Sequence, residues 1–210
     1  GTPFDWNNPE HKSNPYANRD PRLAMSILTN NVEFKDRTIE AWTGGRDGKG
    51  VIHATRTGYY IYKFIDPNLD LLQNRTSVHH WVIMRYAEIL LSYAEAMNEA
   101  YGPTGNVGYR LNAVRALNQV RNRVGVEMPA VPTAISKEEL REKIRNERRV
   151  ELAFEDHRFW DVRRWMIAPE TLGAPLRGVE ITKISDEEFE YKPIEVEKRT
   201  FEPKMYLYPI

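Results

Sequence analysis

The sequence predicts a mainly α-helical fold, built of tetratricopeptide-like helical hairpins with long irregular loops and a few short strands. Three observations carry this. Apolar residues recur at steps of three and four through 81–165, glycine and proline punctuate that pattern into hairpin-sized pieces, and both flanks are rich in turn residues with only short β-like runs. Two consecutive hairpins of about 40 residues are the spacing of stacked helical repeats.

Along the chain, residues 1–22 have the Asn, Pro and Asp content of a loop, and Ala24-Met25-Ser26-Ile27-Leu28 reads as a short strand or turn. From Thr38 to Phe64 the pattern is strand and loop. It holds Trp42, then Gly44-Gly45-Arg46-Asp47-Gly48-Lys49-Gly50, then Tyr59-Tyr60-Ile61-Tyr62. Four glycines in seven residues favour a tight turn; no Gly-Lys-Ser/Thr closes the run, so it lacks a phosphate-binding spacing.

The first helix is expected from about Trp81, with Ile83, Ala87, Leu90, Ala94, Met97 and Tyr101 on one stripe and Gly102-Pro103 as its stop. A second is expected over Val107–Val124, with Leu111, Val114, Leu117 and Val120 inward and Gly125 ending it. Ser136-Lys137-Glu138-Glu139 is a capping box, in which serine and glutamate each satisfy a free amide of the new helix. That helix carries Leu140, Ile144, Val150 and Phe154 and is expected to break at Glu155–Arg158. A short helix follows over Phe159–Met166, and then an extended, proline-punctuated tail with a strand at Val179–Ile184.

Thirty basic and thirty acidic side chains cancel, so no charge excess points to nucleic acid. The absence of cysteine removes disulfides, thiolate metal sites and cysteine nucleophiles. No apolar run reaches the roughly 20 residues that span a bilayer. The loop-like start at Gly1 and the extended end at Tyr208-Pro209-Ile210 lead us to expect a piece of a longer protein.

Several blocks, in order, resemble one family. They are Asp20-Pro21-Arg22-Leu23; Gly58-Tyr59-Tyr60 with Lys63-Phe64; Arg85-Tyr86-Ala87-Glu88 with Tyr93-Ala94-Glu95-Ala96; and Asn118-Gln119-Val120-Arg121-Asn122-Arg123-Val124-Gly125. Glu147-Arg148-Arg149-Val150-Glu151-Leu152-Ala153-Phe154-Glu155 and Arg158-Phe159-Trp160-Asp161 follow, then Lys204-Met205-Tyr206-Leu207-Tyr208-Pro209-Ile210. Together they resemble the C-terminal half of SusD/RagB nutrient-binding lipoproteins. Asp156-His157 departs from the pattern, standing where the family often has glycine and a variable residue. The resemblance implies that residues 1–210 form a single C-terminal domain. It also implies non-covalent capture of an oligosaccharide or other nutrient, a SusC-like TonB-dependent transporter as partner, and a place on the outer face of the outer membrane. The lipid anchor would lie in an N-terminal part not included here. No cofactor and no catalytic residue are implied.

Glu147, Glu151 and Glu155 recur every fourth residue, and paired carboxylates are what a glycoside hydrolase uses. Arginines crowd the same segment, however, and a glutamate fixed as an anion by arginine cannot serve as general acid. Structural pairing with Arg145, Arg148, Arg158 or Arg163 is therefore the expectation. His79-His80 and His157 lack a zinc-ligand spacing, and Asp66-Pro67-Asn68-Leu69-Asp70 lacks a full calcium loop.

Sugar capture needs a ring face for the apolar side of a pyranose and planar polar groups for its hydroxyls. Trp42 with Arg46 and Asp47, and Tyr59 and Tyr60 as a second platform, are the candidate ligand-binding residues; Trp81, Trp160 and Trp165 are assigned to the core. A helical scaffold that binds only protein is the alternative to sugar capture.

Overall fold

The structure is a computed structural model that describes residues 3–78 and 80–207. His79 and the end at Tyr208-Pro209-Ile210 lie outside the described residues. The chain divides into two compact units, one of residues 1–19, 23–79 and 162–210, the other of 20–22 and 80–161.

The helices are α1 (Pro9–Ser13), α2 (Arg22–Ser26), α3 (Tyr86–Tyr101), α4 (Ala113–Arg121), α5 (Lys137–Glu151), α6 (His157–Arg164) and α7 (Ala168–Thr171). The strands are β1 (Ile27–Leu28), β2 (Glu33–Phe34), β3 (Arg37–Thr38), β4 (Tyr60–Ile61), β5 (Leu176–Lys183) and β6 (Phe189–Glu197). Helix exceeds strand, as the periodicity predicts.

In the second unit α3 packs against both α4 and α5. Leu91, Ala94, Val114, Ala116, Leu117, Leu140 and Ile144 make the seam, all essentially inaccessible to solvent. The alanines let the helix axes approach, and the leucines fill the space between. Polar side chains fix the connections. Asn98 Nδ2 donates to the Lys137 carbonyl at 2.9 Å, and Tyr93 Oη donates to the Leu111 carbonyl at 2.9 Å. Asn118 exchanges two bonds with the Val131 backbone, at 3.0 and 2.8 Å, imitating a strand partner for the connector. The Ser136–Glu139 capping box forms as expected.

The α3 stripe does not begin at Trp81: Arg85 is extended (φ −145°, ψ 162°), the helix starts at Tyr86, and Trp81 and Ile83 are 69% and 82% exposed. The second helix is shorter than 107–124, because Asn112 caps it by accepting from the Arg115 amide and Asn122 closes it. Trp160, assigned to the core, is 56% exposed, whereas Trp165 is half-buried.

The break after α5 comes a few residues earlier than the expected Glu155–Arg158: α5 ends at Glu151, the turn covers 152–156, and His157 and Arg158 are already helical. Phe154 and Asp156 take φ of +64° each, the left-handed region that a glycine enters without cost and an aspartate tolerates. Asp156 thus fills a position whose backbone explains the glycine in the resembling pattern. The last helix starts at His157 rather than Phe159.

The first unit is built around the β5–β6 hairpin, of which only β5 was read from the sequence. Val179, Ile181 and Tyr191 from the hairpin join Leu28, Ile39 and Ala41, with Trp6, Tyr16, Trp42, Tyr59, Tyr60 and Phe189 packed against them. The free edge of β5 is met by loop backbone. The Thr43 amide donates to the Ile181 carbonyl at 2.8 Å, and the Val179 amide donates to the Thr57 carbonyl at 2.9 Å. Ala24–Ser26, read as strand or turn, belongs to α2, and β1 runs directly on from it to pair with β4.

Candidate functional site

The two contacts on the edge of β5 anchor both ends of the 43–57 segment, and the glycine-rich loop lies between them. Gly44 has φ +93° and Gly50 φ +97°, so the chain turns at two positions that side chains disfavour.

The loop is braced by its own polar groups. Asp47 Oδ2 accepts from Arg37 Nη1 at 2.6 Å and from the Glu40 amide at 2.9 Å; Asp47 Oδ1 accepts from Arg37 Nη2 at 2.7 Å. The hydrogen bonds from Arg37 hold the Asp47 carboxyl below the usual aspartate range despite partial burial. Glu40 accepts from the Arg46 amide at 3.1 Å and from Arg46 Nη2 at 3.0 Å. Tyr60 Oη donates to the Asp47 carbonyl at 2.7 Å and accepts from the Thr55 amide at 3.2 Å.

The five predicted residues are thus placed as follows. Trp42, Arg46, Asp47 and Tyr60 border one braced loop, and Tyr59 is on the adjoining strand side. Trp42 is half-buried, its ring centroid 5.4 Å from Phe189 in a tilted arrangement, with Lys183 Nζ 5.1 Å from the indole centroid. Arg46 leaves 64% of its side chain exposed. Tyr59 packs edge-on to Tyr16 at 6.2 Å, and Tyr16 to Tyr191 at 5.5 Å; burial pushes the Tyr59 phenol up from its usual pKa. Sequence reasoning missed Arg37, Glu40 and Lys183, which hold the loop and cover the indole. Arg37 and Glu40 flank Trp42 and were in reach of a local pattern; Lys183 arrives from 141 positions on and left no signal.

The three glutamates lie in the other unit. Glu147, Glu151 and Glu155 are all buried. Their partners are not the neighbours expected. Glu147 is held by Arg22 Nη1 and Arg121 Nη1, both at 2.6 Å. Glu151 is held by Arg22 at 2.8 Å, by Arg85 at 2.6 Å and by Arg123. Glu155 pairs with Arg85 Nε at 2.7 Å. Arg148 instead pairs with Asp161 at 2.8 Å, Arg145 with Glu142 at 3.1 Å, and Arg163 donates to the Met205 and Tyr206 carbonyls. Burial alone would raise the Glu151 carboxyl; hydrogen bonds from Arg123, Arg22 and Arg85 overcome this and lower its pKa to about 2. Such a group is a permanent anion, the opposite of a general acid.

Among the described residues no three of His, Asp and Glu come close enough to hold a metal ion, and no helix is long and apolar enough to cross a membrane. Asp66 Oδ1 accepts from the Asn68 amide at 2.8 Å, and Asp70 Oδ1 caps a 3-10 turn at Leu71–Gln73, so both carboxylates serve their own turns.

The SusD-like protein P2 of Formosa agariphila is 34% identical over 120 residues, 55% of this chain and 22% of that protein. A SusD-like protein of Bacteroides fragilis NCTC 9343, known from its crystal structure, superposes with a TM-score of 0.74 at 32% identity, over 91% of this chain and 36% of that one. A SusD-like carbohydrate binding protein of the same strain gives 0.73 at 31% identity, over 100% of this chain and 43% of that one. In each case the match spans less than half the length of the relative. The family model described as SusD family matches residues 4–210, and the chain belongs to that family.

Proposed function

We propose that this chain is the C-terminal part of a glycan-binding, SusD-like component of an outer-membrane uptake system, which captures oligosaccharide without covalent chemistry and passes it to a SusC-like TonB-dependent transporter. On this reading residues 1–210 serve as one C-terminal domain, its α3–α5 helices stack in the tetratricopeptide manner, and a lipid anchor elsewhere in the protein holds it at the cell surface. The observation that carries the reading is the braced Glu40–Gly50 loop. Its backbone and acidic groups are spent on internal bonds, so Arg46 and the Trp42–Lys183 pair are held in place without further ordering cost. The Trp42 indole, with Lys183 beside it, and the exposed Arg46 guanidinium of the same loop are the group types that meet the apolar side and the hydroxyls of a pyranose. The description of one B. fragilis relative as carbohydrate binding supports the same ligand class.

The arginine-held glutamates argue against a hydrolytic reading: Glu151 is fixed as an anion, and Glu147 and Glu155 are each held by an arginine, not facing an open site as a pair. The test is calorimetric titration of soluble oligosaccharides against the protein and its Trp42→Ala and Arg46→Ala variants. Loss of the ring is expected to weaken binding about tenfold, equal to about 1.4 kcal/mol. Unchanged affinity in both variants would remove this loop from the site.

A further inference from the structure

We infer that the Lys183–Asp186 pair at the end of the β5–β6 hairpin is the polar arm of the Trp42 site, and that the acidic turn carrying it restricts the site to uncharged saccharides. The inference rests on the reading of Trp42 as a sugar platform and adds to it the residues that select the ligand.

Lys183 and Phe189 are paired positions on β5 and β6, and both meet Trp42. The turn between them, 184–188, is therefore carried beside the indole. The Ile184 and Ser185 amides close it by donating to the Glu188 carbonyl at 2.9 and 3.2 Å. Lys183 Nζ, 5.1 Å from the indole centroid, donates to Asp186 Oδ1 at 2.7 Å. That bond holds the Asp186 carboxyl below the usual aspartate range, so it remains an acceptor at neutral pH.

Both partners keep bonding capacity. The ammonium has three N–H donors and spends one on Asp186. Among the described residues the carboxylate is engaged through Oδ1 alone, and its side chain is 96% exposed. A donor and an acceptor side by side suit two neighbouring hydroxyls of a pyranose, one accepting from the ammonium and the next donating to the carboxylate. Water already screens this exposed pair, so admitting those hydroxyls disturbs little.

Charge then sets the ligand class. Arg37 is paired with Asp47, Arg46 with Glu40 and Lys49 with Glu180, so the loop offers no surplus cation. The turn adds Glu187 and Glu188, both exposed and without an ion pair among the described residues. One ammonium thus stands within a turn of three carboxylates. A uronate or sulfate ester bound at Lys183 would sit beside that excess, inside the screening length of about 10 Å at 0.1 M salt. An uncharged sugar meets no such repulsion.

The test is calorimetric titration of the full chain with an oligogalacturonate, its fully methyl-esterified counterpart, and malto-, xylo- and galacto-oligosaccharides. The tightest binder is expected among the uncharged probes. Lys183→Met, which keeps an apolar stem against the indole, and Asp186→Ala should each weaken it three- to tenfold. The double variant Glu187→Gln/Glu188→Gln should leave it within twofold and make the oligogalacturonate bind more tightly than it binds the unaltered protein. Circular dichroism checks that these exposed substitutions keep the fold. An oligogalacturonate that binds the unaltered protein more tightly than its ester overturns the inference, as do unchanged affinities in both Lys183→Met and Asp186→Ala. If Trp42→Ala weakens the uncharged probes while those two variants do not, the platform stands and only this inference falls. If Trp42→Ala changes no affinity, or no probe binds, the platform falls and takes the inference with it.

Discussion

Arg22 Nη1 lies 2.6 Å from Glu147 Oε1, although 125 residues separate the two in sequence. Asp20 orients that guanidinium from the other side, through bonds to Nε at 2.9 Å and Nη2 at 2.6 Å. The same network gathers Arg85, Arg121 and Arg123. Four of the blocks that mark the family in sequence, those holding Arg22, Arg85, Arg121–Arg123 and Glu147–Glu155, therefore converge on one charge cluster that closes the helical unit. Removing one member strands an ion in the interior. Arg22→Ala is expected to cost about 3–5 kcal/mol in urea unfolding. Arg141→Ala, which breaks the bidentate but exposed pair with Glu99, should cost far less than Arg22→Ala, because solvent screens that pair. Equal losses from the two variants would refute the assignment.

The same cluster sets a pH dependence. The Glu151 carboxyl is lowered from 4.5 to about 2, so between those values the unfolded chain binds more protons than the folded one. Stability must then rise with pH across this window. The contribution is complete above pH 4.5 and lost as pH falls towards about 2. In Glu151→Gln the acid arm of the stability profile should flatten, while the stability at neutral pH drops because Arg22, Arg85 and Arg123 lose their shared anion. Urea midpoints from pH 2 to 7 decide this; an unchanged acid slope in the variant would show that Glu151 is not the titrating group.

The helical half was legible because its signals are local. The apolar stripe Leu90, Ala94 and Met97, the capping box at Ser136 and the break after α5 all lie within one or two turns of the residues that specify them. Helix starts were less legible. Trp81 and Ile83 continue the α3 period, yet Arg85 must be extended for its guanidinium to reach Glu151 and Glu155, and that contact overrides the pattern. Residue type pointed to charge pairing, but the partners of Glu147 and Glu151 come from far along the chain, beyond any helical spacing. At the candidate site the sequence located the loop and not its bracing. β6 escaped notice because Pro193 sits within it, a residue that a two-stranded ribbon tolerates.

Tyr60 tests the bracing directly. Its hydroxyl donates to the Asp47 carbonyl and accepts from the Thr55 amide, joining the loop to β4. Tyr60→Phe keeps the ring and removes both bonds, at a cost of about 1 kcal/mol in global stability. The sharper effect should be local. Amides of residues 44–50 should exchange faster with deuterium, and oligosaccharide affinity should fall because the loop then has to be ordered on binding. Unaltered exchange in this loop would mean that Arg37 and Glu40 brace it alone.

Gly58 offers the most exacting check on how the first unit closes. Its φ is +80°, and a Cβ built there would stand 2.7 Å from the Val179 carbonyl oxygen and 2.8 Å from Val179 Cγ1. Backbone and side chain of β5 thus occupy the space at once, and relieving the clash means breaking the bond from the Val179 amide to the Thr57 carbonyl. Gly58→Ala combines left-handed strain with this overlap and is expected to destabilise by about 2 kcal/mol or more. Exchange of the Val179 amide separates two origins of that loss. Faster exchange at Val179 than at Ile144, in the core of the helical unit, would locate the damage at the β5 edge, whereas uniform acceleration would refute a local clash. The Gly58-Tyr59-Tyr60 block would on that result be explained by a close approach of two backbones, with the glycine setting where Tyr59 and Tyr60 can stand.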